Sequence, residues 1–360
     1  MQHQVVHPGA HLFNMLNERG LSQRELASKI NIAHSLLNNI LKGNRNINVS
    51  IALSLEAAGF ENAKYWMTSQ IEYLLDQAKA DEELVKRNES IKLWNDLSKI
   101  VPVPFFKKQN MIQSYSSNDV NKIYKIYNVN SLNELKIKIE QFIPANFRKS
   151  TKFIENRNNV IAWSLLADYK AKKEKVNSFY IKNEYTLIEE LNECFYTNKN
   201  TLSKTKKILN KYGIKFFILD RPPKTPIDGK SFMSDGNPAI VLSLKYKRLD
   251  NFAFNIMHEI GHIFMHIFKP KNDDVINTSN TVKTKFEEFE ADNYAKNKLL
   301  DANRWDEFFF LNNEFPDSII FEFSKKFNIH PAIIRGRVCF EKPEYYRKRS
   351  LINRDNIITD

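Results

Sequence analysis

The segment Met257-His258-Glu259-Ile260-Gly261-His262 places two imidazoles four positions apart, with a carboxylate directly after the first. On an α-helix such a pair projects from one face and reaches a single ion, while the glutamate between them faces the water that the ion would activate. This is the donor pattern of metal-assisted hydrolysis, with His258 and His262 as ligands and Glu259 as general base. The chain's own His and Glu frequencies give roughly 0.01 expected chance occurrences of the pattern, so coincidence explains it poorly. Asn255, Ile256, Met257, Ile260, Gly261, Ile263 and Phe264 carry no charge, as a buried site helix requires. Asp250 is expected to cap the start of this helix and Pro270 to end it. Gly261 costs about 1 kcal/mol in a helix interior relative to Ala, which points to close approach of backbone or substrate.

Two histidines leave a catalytic zinc short of its usual three protein ligands, and a carboxylate from a downstream helix is the common completion. Glu287-Glu288-Phe289-Glu290-Ala291-Asp292-Asn293-Tyr294-Ala295 is predicted to be that helix. Glu288 shares a face with Ala291, Asp292 and Ala295, small residues that let the helix lie close to the first one, and is the expected third ligand. Asp292 is placed to accept the free N–H of a ligating histidine, the contact that sets tautomer and ring orientation. Glu290 points elsewhere and is the alternative ligand if the helix phase slips by a residue.

His258-Glu259-x-x-His262 followed by Glu288-x-x-Ala291-Asp292-x-Tyr294-Ala295 resembles the ImmA/IrrE family of metallo-endopeptidases. Gly213-Ile214-Lys215-Phe216-Phe217, Asp228-Gly229 and Ala239-Ile240-Val241-Leu242-Ser243 resemble the small sheet that precedes the family's site helix. Ile329-His330-Pro331-Ala332-Ile333-Ile334-Arg335-Gly336-Arg337 is similar to its closing helical segment. The resemblance implies a Zn2+ site made by His258, His262 and Glu288, with Glu259 as base. His266 stays near the metal face, where ligand, substrate contact and plain surface histidine are all open. Tyr294, His266 and His330 are candidates for substrate or transition-state contacts.

The other end of the chain carries an independent signal. A helix around His11-Leu12-Phe13-Asn14-Met15-Leu16-Asn17 is stopped at Gly20, and Ser22-Gln23-Arg24-Glu25 reads as a capping box that opens the next. That helix breaks at Asn31, which tolerates a left-handed turn, and Ala33 to Leu41 forms a short helix closed at Gly43. Two short helices about a tight turn, with Ala27, Ile32, Leu37 and Ile40 inside, form a helix-turn-helix whose second helix enters a DNA major groove. His7-Pro8-Gly9, Gly20-Leu21-Ser22-Gln23-Arg24-Glu25-Leu26-Ala27, Ile40-Leu41-x-Gly43 and Tyr65-Trp66-Met67 resemble the HigA group of Xre-type antitoxin repressors. The resemblance implies that Gln23, His34, Ser35, Leu36, Asn38 and Asn39 face DNA, and that Lys42 and Arg45 meet phosphates. The second helix opens with Ala33-His34 where relatives often have Ser and a basic residue, so base specificity does not carry over.

Charge adds little to that assignment. The formal net charge is +12 over 360 residues, yet residues 1–75 set Arg19, Arg24, Lys29, Lys42, Arg45 and Lys64 against Glu18, Glu25, Glu56, Glu61 and Glu72. The excess falls instead in the middle of the chain, as at Lys204-Thr205-Lys206-Lys207, and the overall richness in Asn, Lys and Ile is a skew that AT-rich coding produces by itself. DNA contact is therefore expected to be weak, salt-sensitive and dependent on a dimer.

The length supports a multidomain chain, with hydrophobic content of 42% sufficient for packed cores. The expected fold class is an all-α helix-turn-helix domain at residues 1–75, a helical connecting region at 76–190, an α+β metallopeptidase-like domain at 191–345 and a tail at 346–360. In the connecting region Trp94, Leu97, Ile100 and Val101 are expected to pack before a break at Pro102-Val103-Pro104. Phe147-Arg148-Lys149-Ser150 and Trp163-Ser164-Leu165-Leu166 resemble long forms that fuse a HigA-like repressor to an ImmA/IrrE domain. Strands are expected at Ile214 to Leu219, Lys230 to Met233 and Ala239 to Leu244. Met1-Gln2-His3-Gln4 lacks the basic start of a signal peptide, no apolar run approaches the roughly 20 residues of a membrane span, and Cys194 and Cys339 are isolated; a reducing cytoplasm and no membrane partner are expected. The expected partners are operator DNA, a protein substrate such as a repressor or antitoxin, and a cognate toxin. The reading that competes with hydrolysis is an antitoxin-like repressor whose metal domain binds a ligand or partner without cutting it.

Overall fold

A computed structural model describes residues 5–141, 151–223, 225, 227–244, 246–268 and 285–359, so Pro270, Met1-Gln2-His3-Gln4 and the segment 147–150 lie outside the described residues. The chain divides into two compact units, Met1–Asp96 and Leu97–Asp360.

The first unit is helical: α1 (Pro8–Glu18), α2 (Gln23–Lys29), α3 (His34–Leu41), α4 (Val49–Ala57), α5 (Ala63–Ala80) and most of α6 (Glu82–Ser98). Ser22 caps α2 in a reciprocal box, its Oγ accepting from the Glu25 amide at 3.2 Å while Glu25 Oε2 accepts from the Ser22 amide at 2.7 Å. Asn31 and Gly43, with φ of 55° and 77°, make the left-handed turns on either side of α3. Leu12, Leu16, Leu26, Leu37, Ile40, Leu55 and Trp66 are buried in one core, with Ile32 packed at its edge. Helix α1 starts earlier than the apolar spacing suggests because His7 Nδ1 accepts from the Gly9 amide at 2.9 Å and caps it. Gly9 is obligatory there, since a Cβ would lie 1.9 Å from the Ile40 carbonyl oxygen.

In the second unit α7 (Val103–Lys108), α8 (Ser117–Tyr127), α9 (Leu132–Gln141) and α10 (Thr151–Ala171) precede α11 (Glu184–Thr197) and α12 (Thr201–Lys211). Trp94, Leu97 and Val101 are buried and Ile100 half-buried before the break at Pro102, where Pro104 sits in the first turn of α7. Strands β1 (Lys215–Ile218), β2 (Gly229–Ser234) and β3 (Asn237–Leu242) form one sheet in the order β1-β3-β2. β3 pairs parallel to β1 and antiparallel to β2. Asp235 and Gly236, both at positive φ, close the β2–β3 hairpin as the two-residue turn that matches strand twist. Residues of the expected connecting region are bound to this sheet: Trp163 Nε1 donates to the Leu219 carbonyl at 2.9 Å, and Lys230 reaches Ser164 and Asp168 from β2.

The sheet is followed by α13 (Leu249–His262), which continues as a π-helical turn over Ile263–Ile267, then by α14 (Lys285–Leu299), α15 (Ala302–Leu311), α16 (Asp317–Phe327), α17 (Pro331–Glu341) and the short α18 (Ile352–Asp355). α13 lies in the middle of the core: Phe252, Ala253, Ile256, Met257 and Ile260 are buried with Phe216, Ile240, Leu242, Leu191 and Phe195. Asp250 does not cap α13, because the helix begins one residue before it, with Arg248 at the N-cap. The Asp250 carboxylate instead ion-pairs with Arg248 and accepts from the Asn251 amide. The expected tail is packed against this point, Asn356 Oδ1 accepting from the Asp250 amide at 3.1 Å while Ile352 is fully buried.

Candidate metal centre and candidate nucleic-acid interface

Helices α13 and α14 run antiparallel, as the pairs His258 with Asp292 and His262 with Glu288 require. Two features let them approach closely. Ala291 and Ala295 are fully buried on the facing side of α14, and Gly261 leaves room for the Tyr294 ring, which a Cβ at position 261 would meet at 3.0–3.1 Å. The close approach expected at Gly261 is thus that of a tyrosine side chain.

Across this contact His258 Nε2 lies 3.1 Å from His262 Nε2 and 3.3 Å from Glu288 Oε2, and His262 Nε2 lies 3.4 Å from Glu288 Oε1. Zinc bonds of about 2.0–2.1 Å in a tetrahedron put neighbouring donors about 3.3 Å apart, and the two imidazole nitrogens and the Glu288 carboxylate, each nitrogen facing a different one of its oxygens, stand close to that spacing. Two imidazoles and a carboxylate are also the donor types that a catalytic zinc takes. A tetrahedral ion held by these three residues would keep its fourth position for water or substrate.

The outer nitrogens of both histidines are held. His258 Nδ1 is 2.8 Å from Asp292 Oδ1, the arrangement expected of a carboxylate that orients a ligating ring. His262 Nδ1 is 3.0 Å from His266 Nδ1, and His266 Nε2 is 3.1 Å from Glu290 Oε2. With Nε2 of His262 on a metal, its Nδ1–H donates to His266, whose Nε2–H then donates to Glu290; each ring has one tautomer consistent with this chain. Spacing continued from α13 puts His266 near the face of His258 and His262, but no pattern in the sequence pairs it with Glu290. Glu288 meets the histidine pair, while Glu290 meets His266.

Glu259 is 4% exposed and faces the start of β2, where a Cβ on Gly229 would lie 2.8 Å from its Oε1. Glycine at the first residue of a strand is the signal that would have found this cradle, since it marks places where another group comes close to the backbone.

Two expected contacts are placed elsewhere. The Tyr294 hydroxyl donates to Glu184 Oε1 at 2.9 Å, and Lys298 pairs with the same carboxylate at 2.9 Å. Burial first, then the Glu184 charge, push the Tyr294 phenol far above its ordinary range, so it is held neutral and serves to tie α14 to α11. His330 is the N-cap of α17, its Nδ1 accepting from the Ala332 amide at 3.2 Å, and it lines a cavity with Asn192, Asn297 and Arg304. Neither the zinc-spaced donors nor Glu259 border that cavity.

In the first unit His34, Ser35, Asn39, Lys42 and Arg45 are exposed along and just after α3, and Gln23 and Asn38 are half-buried beside them. Leu36 is packed against the helical core, so its apolar side chain is only partly presented outward. Arg19 is committed internally, donating to the Gly59 carbonyl at 2.8 Å and lying over the Phe60 ring, and Lys29 donates to the Ala58 carbonyl at 3.0 Å. No helix of the described residues is long and apolar enough to cross a membrane.

No curated protein matches the chain. Residues 12–59, from α1 into the turn after α4, match the helix-turn-helix family HTH_3. Residues 209–331, from the end of α12 to the start of α17, match Peptidase_M78, the IrrE N-terminal-like domain. The chain therefore joins an N-terminal helix-turn-helix domain to a C-terminal domain of the IrrE-like peptidase family.

Proposed function

We propose that this chain is a DNA-binding regulator of the HigA/Xre antitoxin type that carries a zinc-dependent endopeptidase, and that the peptidase cuts a regulatory protein, either a separate repressor or antitoxin or the chain's own N-terminal domain. In this reading residues 1–75 bind operator DNA as a dimer, residues 76–190 connect, and residues 191–345 hydrolyse. The single observation that carries it is the spacing of three donor atoms, all within 4.8 Å of one another, beside a buried glutamate. A bound zinc ion supplies Lewis-acid polarisation of a peptide carbonyl and lowers the pKa of water.

The remaining roles fall to the chain. His258, His262 and Glu288 hold the ion, and Asp292 and the His266–Glu290 pair hold the imidazoles in the tautomers that ligation needs. Glu259, kept in place by Gly229 and by burial, takes a proton from the attacking water and returns one to the leaving amine. Exposed Lys42 and Arg45 position the first domain on phosphates, while Gln23, His34, Ser35, Asn38 and Asn39 reach base edges, with Leu36 contributing only its outer edge.

Metal analysis after dialysis is expected to show one zinc per wild-type chain and lost occupancy in Glu288→Ala; full occupancy in that variant removes Glu288 from the ligand set. For the first domain, a band shift on the DNA upstream of the coding region is expected to show a salt-dependent, sequence-preferring complex. Absence of that complex would leave the helix-turn-helix as a protein-recruiting module.

A further inference from the structure

The face of α13 that carries His258 and His262 continues toward its N-terminus as Phe254 and Asn251, and the face of α14 that carries Glu288 and Asp292 continues as Lys296 and Leu299. Between these two continuations, closed by α17, lies a cavity of about 470 Å³. It begins one helical turn from the donor cluster: the Phe254 ring centroid is 6.1 Å from that of His258, and Asp292, which holds His258, is part of its wall. Phe254, Leu299, Ile333 and Phe340 make it mainly apolar. The wall from α17 depends on Gly336, where a Cβ would lie 2.8 Å from Asp250 Oδ2. Gly336 and Phe340 lie beyond the stretch that matches the peptidase family.

Each charged side chain along this cavity has a polar partner except one. Arg248 is bound to Asp250, Arg337 donates to Glu341 Oε1 at 3.0 Å and stacks over Trp305, and Asp292 is on His258. Lys296 is half-buried, its Nζ 4.5 Å above the Phe340 ring, and it has no carboxylate partner among the described residues. An ammonium drawn partly out of water into an apolar recess gains most from an anionic partner that enters with it.

We propose that this cavity is a side-chain recognition pocket of the peptidase, selective for an acidic residue of the substrate peptide that Lys296 binds. The proposal rests on the peptidase reading above. Extended peptide advances about 3.3 Å per residue and helix α14 about 1.5 Å, so Lys296, eight residues past Glu288, reads a residue two to four positions from the cut bond. The aliphatic and aromatic wall accepts an apolar neighbour of that acid.

Two measurements separate the pocket from the hydrolysis it serves. A randomised decapeptide library is digested with zinc-loaded protein and the products sequenced by mass spectrometry; Asp and Glu are expected to be enriched at one position within four residues of the cut. Lys296→Glu is expected to replace that preference with Lys and Arg, Lys296→Met to abolish it and Lys296→Arg to keep it, each with a wild-type melting profile. The second measurement uses full-length Glu259→Gln protein with zinc and two fluorescein-labelled peptides, Ala-Ala-Leu-Glu-Leu-Ala-Ala and its Gln counterpart. The Glu peptide is expected to bind about tenfold more tightly by anisotropy, a difference that Lys296→Met removes. Equal affinities for the two peptides, or an acidic preference unmoved by Lys296→Glu, overturn the pocket while leaving hydrolysis standing. A tenfold difference in binding with no cutting of the library supports the pocket and removes the hydrolytic reading.

Discussion

Replacing Gly261 with Ala tests whether the two ligand-bearing helices are as tightly apposed as the donor spacing implies. Two opposite effects are at work. Alanine in a helix interior gains about 1 kcal/mol over glycine. Against this, the new Cβ would lie 3.0 Å from Tyr294 Cδ1 and 3.1 Å from its Cβ and Cγ, against an ordinary carbon–carbon separation of about 3.5–4.0 Å. The ring has no easy retreat, since its hydroxyl is bound to Glu184 and its root is fixed between buried Ala291 and Ala295. Relief must come from moving α14 away by roughly 0.5 Å, at the usual overpacking cost of about 1–3 kcal/mol. The net expectation is a loss of about 1 kcal/mol, or roughly 2–4 °C in the melting of a unit this size. The same movement carries Glu288 away from His258 and His262 by more than the ~0.2 Å tolerance of a metal bond, so zinc affinity is expected to fall at least about tenfold. Melting in the presence of a chelator and zinc competition against a chelating dye read the two effects separately. A rise of a few degrees with unchanged zinc affinity would mean that helix propensity alone operates and that the close approach is not real.

Other expectations follow from single contacts. Gly229→Ala places a Cβ 2.6 Å from Leu242 Cδ2 and 2.8 Å from Glu259 Oε1; zinc content should stay unchanged while peptide hydrolysis drops about tenfold or more, and an unaltered rate would show that Glu259 is not positioned there. Asp292→Asn keeps the size of the side chain but weakens its hold on His258, and chelator competition is expected to give zinc binding about 10–100-fold weaker; equal affinity would show that Asp292 does not orient the ring. In α8, burial pushes the Asp119 carboxyl up, but amide hydrogen bonds from Ser114 and Gln113 and the Lys122 ammonium outweigh it and lower it to about 2. Its folded pKa is below its unfolded one, so it contributes about 2 kcal/mol that is fully present above about pH 5 and is lost as pH falls through 4 toward 2. Denaturant titrations should therefore show Asp119→Asn less stable by that amount at pH 7, with the gap closing in this window; a gap independent of pH would contradict the assignment.

What was legible in the sequence is what depends on local spacing. The i, i+4 histidines, the capping box at Ser22, the left-handed turns at Asn31 and Gly43 and the small residues on one face of α14 each follow from a period or a residue's conformational range. Glu288 was within reach because a helix face, once phased by Ala291 and Ala295, selects one carboxylate over its neighbour. The remainder depends on groups that only tertiary structure brings together. Glu184 lies 110 residues from Tyr294, and nothing near either residue announces the other. Glu259 is held by Gly229 across the sheet, and His266 meets Glu290 only because the π-helical turn and α14 come side by side. Asp250 illustrates a local rule overridden: it has the chemistry of a helix cap, but the helix begins a residue earlier and its carboxylate is drawn to Arg248. The connecting helices likewise carry amphipathic patterns that do not name their partner, which proves to be the sheet through Trp163 and Lys230.

The central claim is that three donors on α13 and α14 hold an ion beside a general base. Its most direct test compares zinc-loaded wild type with zinc-loaded Glu259→Gln in a cell extract, with new protein N-termini identified by mass spectrometry. Equal metal content in the two proteins, with new N-termini generated by wild type alone, is the predicted result. Equal metal content and the same N-termini in both samples would show that the zinc-spaced site does not hydrolyse peptides through Glu259.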